Sequence, residues 1–394
     1  MDAESEIQSN APERRLVKLP LRVLVTAQPF GFGPAAALAQ IFDYLRPRVR
    51  HLAFAGAGHT CDIHMRLPYD AVHRLPDHDS GEAFRRLCAE HDASLISCDF
   101  PAAEAASAAG IPFGIYDPMP WFWSRLPSVS ESAALYMCQD FFGVHEIVRD
   151  AKRETVVTVP PVLPPFPQAA EKRSRQVLVN LGGLRNPFQS QEDCVAYARL
   201  VMAIVPGAAR LYPEVHVATS QSIAEVLRHE VPAARTISPQ EAQHLLGCSE
   251  LAAMTPGLGN IYDAAAFAQR VFWLPPANSS QGQQLDMVRR RGLAPFAADW
   301  HDILPGRAPI DYYGGEETAI NNITEAIHEA SGDPAATERL WALFFQAHQA
   351  LATPNPLTHL LDLFGTGGAR VVAEKFVQRV LAPLTRGVGE QPIQ

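Results

Sequence analysis

The sequence predicts an α/β protein: two doubly wound, Rossmann-like domains facing a cleft, with a helical C-terminal region. Three observations predict it. The chain opens its ordered part with an apolar run, a glycine-rich turn and a helical pattern, "LRVLVTA", "QPFGFG" and "PAAALAQIFDYLRP", the opening unit of a parallel sheet. That alternation stops once, at a stretch dense in proline, and then restarts. At 394 residues, a single core is harder to build than two.

The elements follow in order. Residues 1–18, polar and acidic, read as a disordered lead-in. In the first domain, 19–158, Leu21 to Ala27 is a β-branched strand, and Pro34 sits where a helix begins, which suits its fixed φ and missing donor. "VRHLAFAGAG" reads as a strand, "SGEAFRRLCAEHD" as a helix, "ASLISCDF" as a strand, and "PAAEAASAAG" as a helix closed by Gly110. "IPFGIYDPMPW" is a strand running into a loop, and "SAALYMCQDFF" one more apolar segment. "VVTVPPVLPPFPQAAEKRSR" has the composition of a linker, assigned to 159–174. The second domain, 175–365, holds strands at "QVLVNLGG" and "LYPEVHVATS", then short helices at "SIAEVLRHE" and "EAQHLLGC". "LAAM" and "RVFWLPP" are its further strands, and "ANSSQ" reads as a loop. From about Ala319 the chain is helical, and 366–394 is a C-terminal helix and tail that packs on the first domain or forms a homodimer contact.

Charge and cysteine usage exclude several classes. A net charge of −9 without a basic stripe argues against nucleic-acid binding, because phosphates select for Lys and Arg. The six cysteines are scattered with no C-x-x-C spacing, which favours free thiols in the cytoplasm over a disulfide frame or zinc site. The N-terminus is not of signal-peptide type, and no apolar run of membrane-helix length is expected.

Chemistry concentrates in "TPGLGNIYDAAAFAQRVFWLPPANSSQ". A strand, the turn Thr255-Pro256-Gly257-Leu258-Gly259 and a helix from Asn260 make an anion site, since free N–H groups and the helix dipole suit a diphosphate. Gly257 and Gly259 are expected to let the backbone approach the anion and to take positive φ. Asp263, one helical turn on, can reach ribose hydroxyls. Asn278, Ser280 and Gln281 lie on the same rim, and amides that donate and accept read sugar hydroxyls.

Over Ser238 to Gln281 the sequence resembles the donor-binding region of GT-B glycosyltransferases. "SPQEAQHLL" is similar to their nucleobase-side loop, with Pro239 and Gln240 at matching positions. "TPGLGNIYD" resembles their small-residue turn and helix, with Thr255 and Asp263 where many relatives carry His and Glu. That departure removes a His-to-phosphate contact and shortens the ribose contact. "PPANSSQ" is similar to the loop whose last residue, here Gln281, holds the sugar. More narrowly, "YDPMPWFW", "LYMCQDFF" and "LPPANSSQ" look like cytosylglucuronate synthases of nucleoside antibiotic biosynthesis. Those enzymes are implied to join a uronic acid from its UDP carrier to cytosine.

Other residues keep two readings each. Gln28, Gly31 and Gly33 form the matching turn of the first domain, which faces donor or acceptor, or is only a tight connection. Gly182 and Gly183 follow the first strand of the second domain, at a strand end on the cleft. Arg185 is a partner for a uronate carboxylate, or a solvated surface residue. Asp117 is a candidate general base, with Trp121 and Trp123 stacking on a flat acceptor; Asp-Pro turns and buried tryptophans are the plainer reading. Asp99 and Asp140 are spare acids. His59 and His64 read as ordinary histidines, because i, i+5 spacing is not that of a metal pair.

Together these imply a cytoplasmic glycosyltransferase taking a UDP-sugar and a small-molecule acceptor, with no resident cofactor and no metal. Catalytic roles fall to Asp117 and Gln28, and acceptor binding to Gly33, Trp121 and Trp123. Two alternatives remain: a UDP-sugar 2-epimerase, and a non-catalytic sugar-nucleotide-binding partner protein.

Overall fold

The computed structural model describes residues 18–76, 80–163, 174–182, 184, 186, 188–352 and 355–386. Seven strands form the first sheet: β1 (Leu19–Ala27), β2 (Val49–Gly56), β3 (Ala71–Arg74), β4 (Ala93–Ser97), β5 (Phe113–Asp117), β6 (Leu135–Gln139) and β7 (Val156–Val159). They run parallel in the order β3-β2-β1-β4-β5-β6-β7. The second sheet holds β8 (Ser174–Asn180), β9 (Glu214–Ala218), β10 (Ala234–Arg235), β11 (Ser249–Met254) and β12 (Val271–Trp273), ordered β10-β9-β8-β11-β12 and again parallel. β4, β5 and β6 are buried along their whole length, as parallel strands covered by helices on both faces must be.

Sequence order reverses between β1 and β4 in one sheet and between β8 and β11 in the other. Ligands of open α/β sheets settle beyond the carboxyl ends of strands at such switch points. The glycine turn after β1 and the Thr255–Gly259 turn after β11 therefore occupy equivalent places. One apolar cluster runs through both halves, taking in Leu24 and Ile115 from the first sheet with Leu178 and Trp273 from the second.

Several elements differ from the expectation. "VVTV", read as the start of a linker-like stretch although only Val159 falls within the bounds 159–174, is β7, because the edge of β6 offers it a ladder. Val162 and Leu163 beyond it are buried too. "ANSSQ", expected as a loop, caps and opens the helix Ser279–Arg289. β3 and β10, four and two residues long, carry too little periodicity to be legible. An apolar run of membrane-helix length does exist: Gln191–Leu211 has the length and hydropathy, but half of it is buried. It divides into helices Gln191–Met202 and Val205–Leu211, the first opened by a Ser190–Asp193 capping box. Near the C-terminus, helix Gly368–Phe376 returns to the first sheet and packs on helix Gly33–Leu45. Gly368 is needed there, since a Cβ would lie 2.1 Å from the Pro160 carbonyl oxygen. The lead-in 1–17 and the tail 387–394 lie outside the described residues.

Candidate active-site cleft

The two switch points open onto one cleft between the sheets. On the second-domain side, β11 ends at Met254 and the helix Leu258–Ala266 begins. Thr255 donates its N–H to the Asn180 carbonyl at 3.1 Å, and Gly257 donates to the Thr255 carbonyl at 2.8 Å. The first intrahelical bond is Ile261 to Gly257, so the N–H groups of Leu258, Gly259 and Asn260 stand at the helix mouth. Gly257 has φ −75°, so the expectation of positive φ fails for it and for the helical Gly259. Their use is space: a Cβ at either would meet no protein atom within 4 Å.

Asn260 and Thr255 build this turn. The Asn260 amide donates to the Thr255 carbonyl at 2.8 Å and accepts from Asn180 Nδ2 at 3.3 Å. Asn180 in turn accepts from the Gly182 N–H at 2.9 Å, and Gly182 takes φ +61°. Asn180 was not singled out from sequence; its signal is a polar residue ending an apolar strand. Leu184 beside it also adopts positive φ, +49°. Gly183 and Arg185 lie outside the described residues.

Asp263 faces the cleft from the same helix, and among the described residues its carboxyl makes no hydrogen bond. Burial alone pushes its carboxyl up to about 7. Asn278 caps the next helix, accepting from Gln281 N–H at 3.0 Å and Ser280 Oγ at 2.9 Å. Gln281 Oε1 accepts from Ala277 N–H at 2.9 Å, which leaves its Nε2 hydrogens to the cleft. Gln284, one turn further, is 1% exposed and lines the floor, its Oε1 without a partner among the described residues. Beyond β9 and β10, Thr219 and Thr236 present hydroxyls to the cleft that have no partner among the described residues.

Five residues fall elsewhere than expected. Gln240 is exposed, and the cleft-facing amide of helix Pro239–Cys248 is Gln243, on the face shared with Pro239 and Ala242. Spacing from the Ser238 cap sets that phase and would have found it. Asp117 does not line the cleft: it is fully buried, accepting from Tyr136 Oη at 2.6 Å and Met119 N–H at 2.8 Å. Burial drives it up to about 6 against those hydrogen bonds. A group so enclosed braces the loop and cannot meet an acceptor. Trp121 and Trp123 pack in an aromatic cluster with Phe100, Phe122 and Phe141, away from the cleft lining. Gln28 also lies off the lining, its N–H bound to the Ser97 carbonyl at 3.0 Å.

The first-domain wall of the cleft is made by Phe30, Gly33 and Pro34 after β1, and by Asp62 and Arg66 after β2. Asp62 carries no motif of its own in sequence, lying between His59 and His64 in the short helix Thr60–His64. Both histidines are structural: His64 is buried against Phe54, bonded to Tyr69 Oη at 2.9 Å and the Ala35 carbonyl at 3.0 Å, and burial lowers it to about 3. His59 Nε2 lies 2.5 Å from the Gly31 carbonyl and steadies that turn. Asp99 caps helix Phe100–Ala108, and burial raises it to about 6.

Solved structures share this architecture. The UDP co-structure of MnaA from S. aureus aligns over 92% of this chain and 97% of its own, with 14% identity and TM-score 0.51. The chain has the GT-B fold. The glycotransferase of kitacinnamycin aligns over 92% and 99% at 16% identity, TM-score 0.48. LpCGTa in complex with UDP aligns over 92% and 100% at 13% identity, TM-score 0.49. No protein-family model and no curated protein sequence matches. The GT-B fold explains why both glycine turns converge: each lies at the switch point of its own sheet, and the sheets present these ends to one another.

Proposed function

We propose that this protein is a glycosyltransferase that moves a sugar from UDP to a small-molecule acceptor. The observation that carries the reading is the helix mouth after β11, with its two glycines backed by empty cleft, a partnerless carboxyl one turn on, and Gln281 opposite. The N–H groups and dipole of helix Leu258–Ala266 take the diphosphate and stabilise its charge on departure. Asp263 accepts from ribose hydroxyls, and Gln281 donates to the sugar. Gly33 and the Phe30–Pro34 turn hold the acceptor across the cleft. The chemistry asks for no metal and no resident cofactor, and the protein works in the cytoplasm.

The resemblance to cytosylglucuronate synthases proposes UDP-glucuronate and cytosine as substrates, and an antibiotic pathway as setting. Arg185 would then pair with the uronate. A UDP-sugar epimerase would share the donor side but have no use for an acceptor wall.

Thermal shift with UDP, UDP-glucose, UDP-glucuronate, UDP-N-acetylglucosamine and dTDP-sugars tests the proposal. A ligand at one hundred times its Kd stabilises the native state by about 2.7 kcal/mol. A shift with UDP and a larger one with a UDP-sugar is the expected result. No shift with any nucleotide removes the reading.

A further inference from the structure

The turn that leaves β6, Asp140-Phe141-Phe142, belongs to the first sheet but is gripped by the second domain. Tyr262, on the helix with the phosphate turn, is 1% exposed and donates its hydroxyl to the Asp140 carbonyl at 2.7 Å. Its ring meets Phe141 edge-on at 6.0 Å. Phe141 and Phe142 pack on Phe364 at 5.8 and 5.0 Å, in helix His359–Phe364, which rests on helix Leu258–Ala266. The Arg291 guanidinium, just past helix Ser279–Arg289, lies 3.8 Å from the Phe142 ring centre. The helices bearing Gly259 and Gln281 therefore both abut one first-domain turn, and its strand delivers Gln139 to the cleft.

We propose that Tyr262 is a positioning residue whose hydrogen bond to Asp140 sets the donor-binding helix in register with the acceptor side. The inference rests on the sugar-transfer reading of this cleft. Apolar packing of the phenylalanines holds the halves together without direction, so they can slide. A hydrogen bond is directional, and losing its donor leaves a buried carbonyl unpaired. In a transfer between substrates held by different domains, a small misplacement costs rate rather than affinity.

Tyr262→Phe keeps the ring and removes only the hydroxyl. UDP affinity should stay within about twofold, since the nucleotide contacts lie in the second domain. UDP release from the UDP-sugar that best stabilises wild type should fall roughly tenfold in kcat with KM for donor unchanged. In the ligand-free protein, amide exchange at 141–142 and 259–262 should accelerate together by roughly tenfold, and elsewhere hold. Wild-type kcat, or kcat and UDP affinity falling together, overturns the assignment. If no nucleotide stabilises wild type, the transfer reading fails by itself. The exchange experiment still decides this inference, and unchanged exchange in Tyr262→Phe overturns it.

Discussion

Asp263 is a carboxyl in a place that disfavours its charge. Burial raises it from 3.8 to about 7, and no cation or donor among the described residues offsets that. The native state thus holds the proton more tightly than the unfolded chain does. The stability this group contributes is full below about pH 4 and is lost as pH climbs through 7. Asp263→Asn should remove that slope: at pH 8 the ligand-free variant should be more stable than wild type by about 1–3 kcal/mol, with the gap closing toward pH 4. Melting curves across this range check it. A parallel pH profile in the variant would show that the carboxyl is solvated. Asp117 shows the opposite case of a raised carboxyl that serves the loop, so a shifted acid marks a functional site only where it also faces open space.

At the scale of elements, the helix Leu258–Ala266 carries the most function. Neither Gly257 nor Gly259 is required by backbone strain, and neither has a neighbour that a Cβ would strike. An aspartate at 259 should therefore fold as wild type does. Its carboxylate would stand at the helix mouth, where it satisfies the dipole and repels a diphosphate. Gly259→Asp should keep its melting temperature within about 2 °C, a few tenths of a kcal/mol, while UDP binding weakens by at least about tenfold. Calorimetric titration with UDP reads this, and undiminished binding would place the diphosphate elsewhere. The turn was legible in sequence as two glycines between strand and helix. Its reason was not, because φ and empty space are both set by neighbours: β8 fixes Thr255, and Asn180 fixes Asn260.

Over the whole molecule, the two sheets do not behave as beads on a string. The apolar cluster that joins Leu24 and Ile115 to Leu178 and Trp273, together with the Phe141–Phe364 contacts, gives them a shared core. Cooperative unfolding follows where a core is shared. Differential scanning calorimetry should give one transition with matching calorimetric and van't Hoff enthalpies; two resolved transitions would show independent domains. The returning helix Gly368–Phe376 adds to this coupling, since the chain's end stabilises the first sheet after the second has been built.

Sequence by itself determined the alternation of strands and helices, the two glycine turns and the helix start at Pro34. Those depend on local periodicity and on the backbone needs of Gly and Pro, which act over a few residues. Tertiary structure alone decided which polar side chains face the cleft. Gln243 rather than Gln240, Asp62 rather than His59, the burial of Asp117 and the packing of both tryptophans off the cleft depend on helix phase and on strands distant in sequence. "VVTV" makes the same point for backbone: it is a strand because β6 leaves an edge free beside it, and no property of four residues next to prolines could say so.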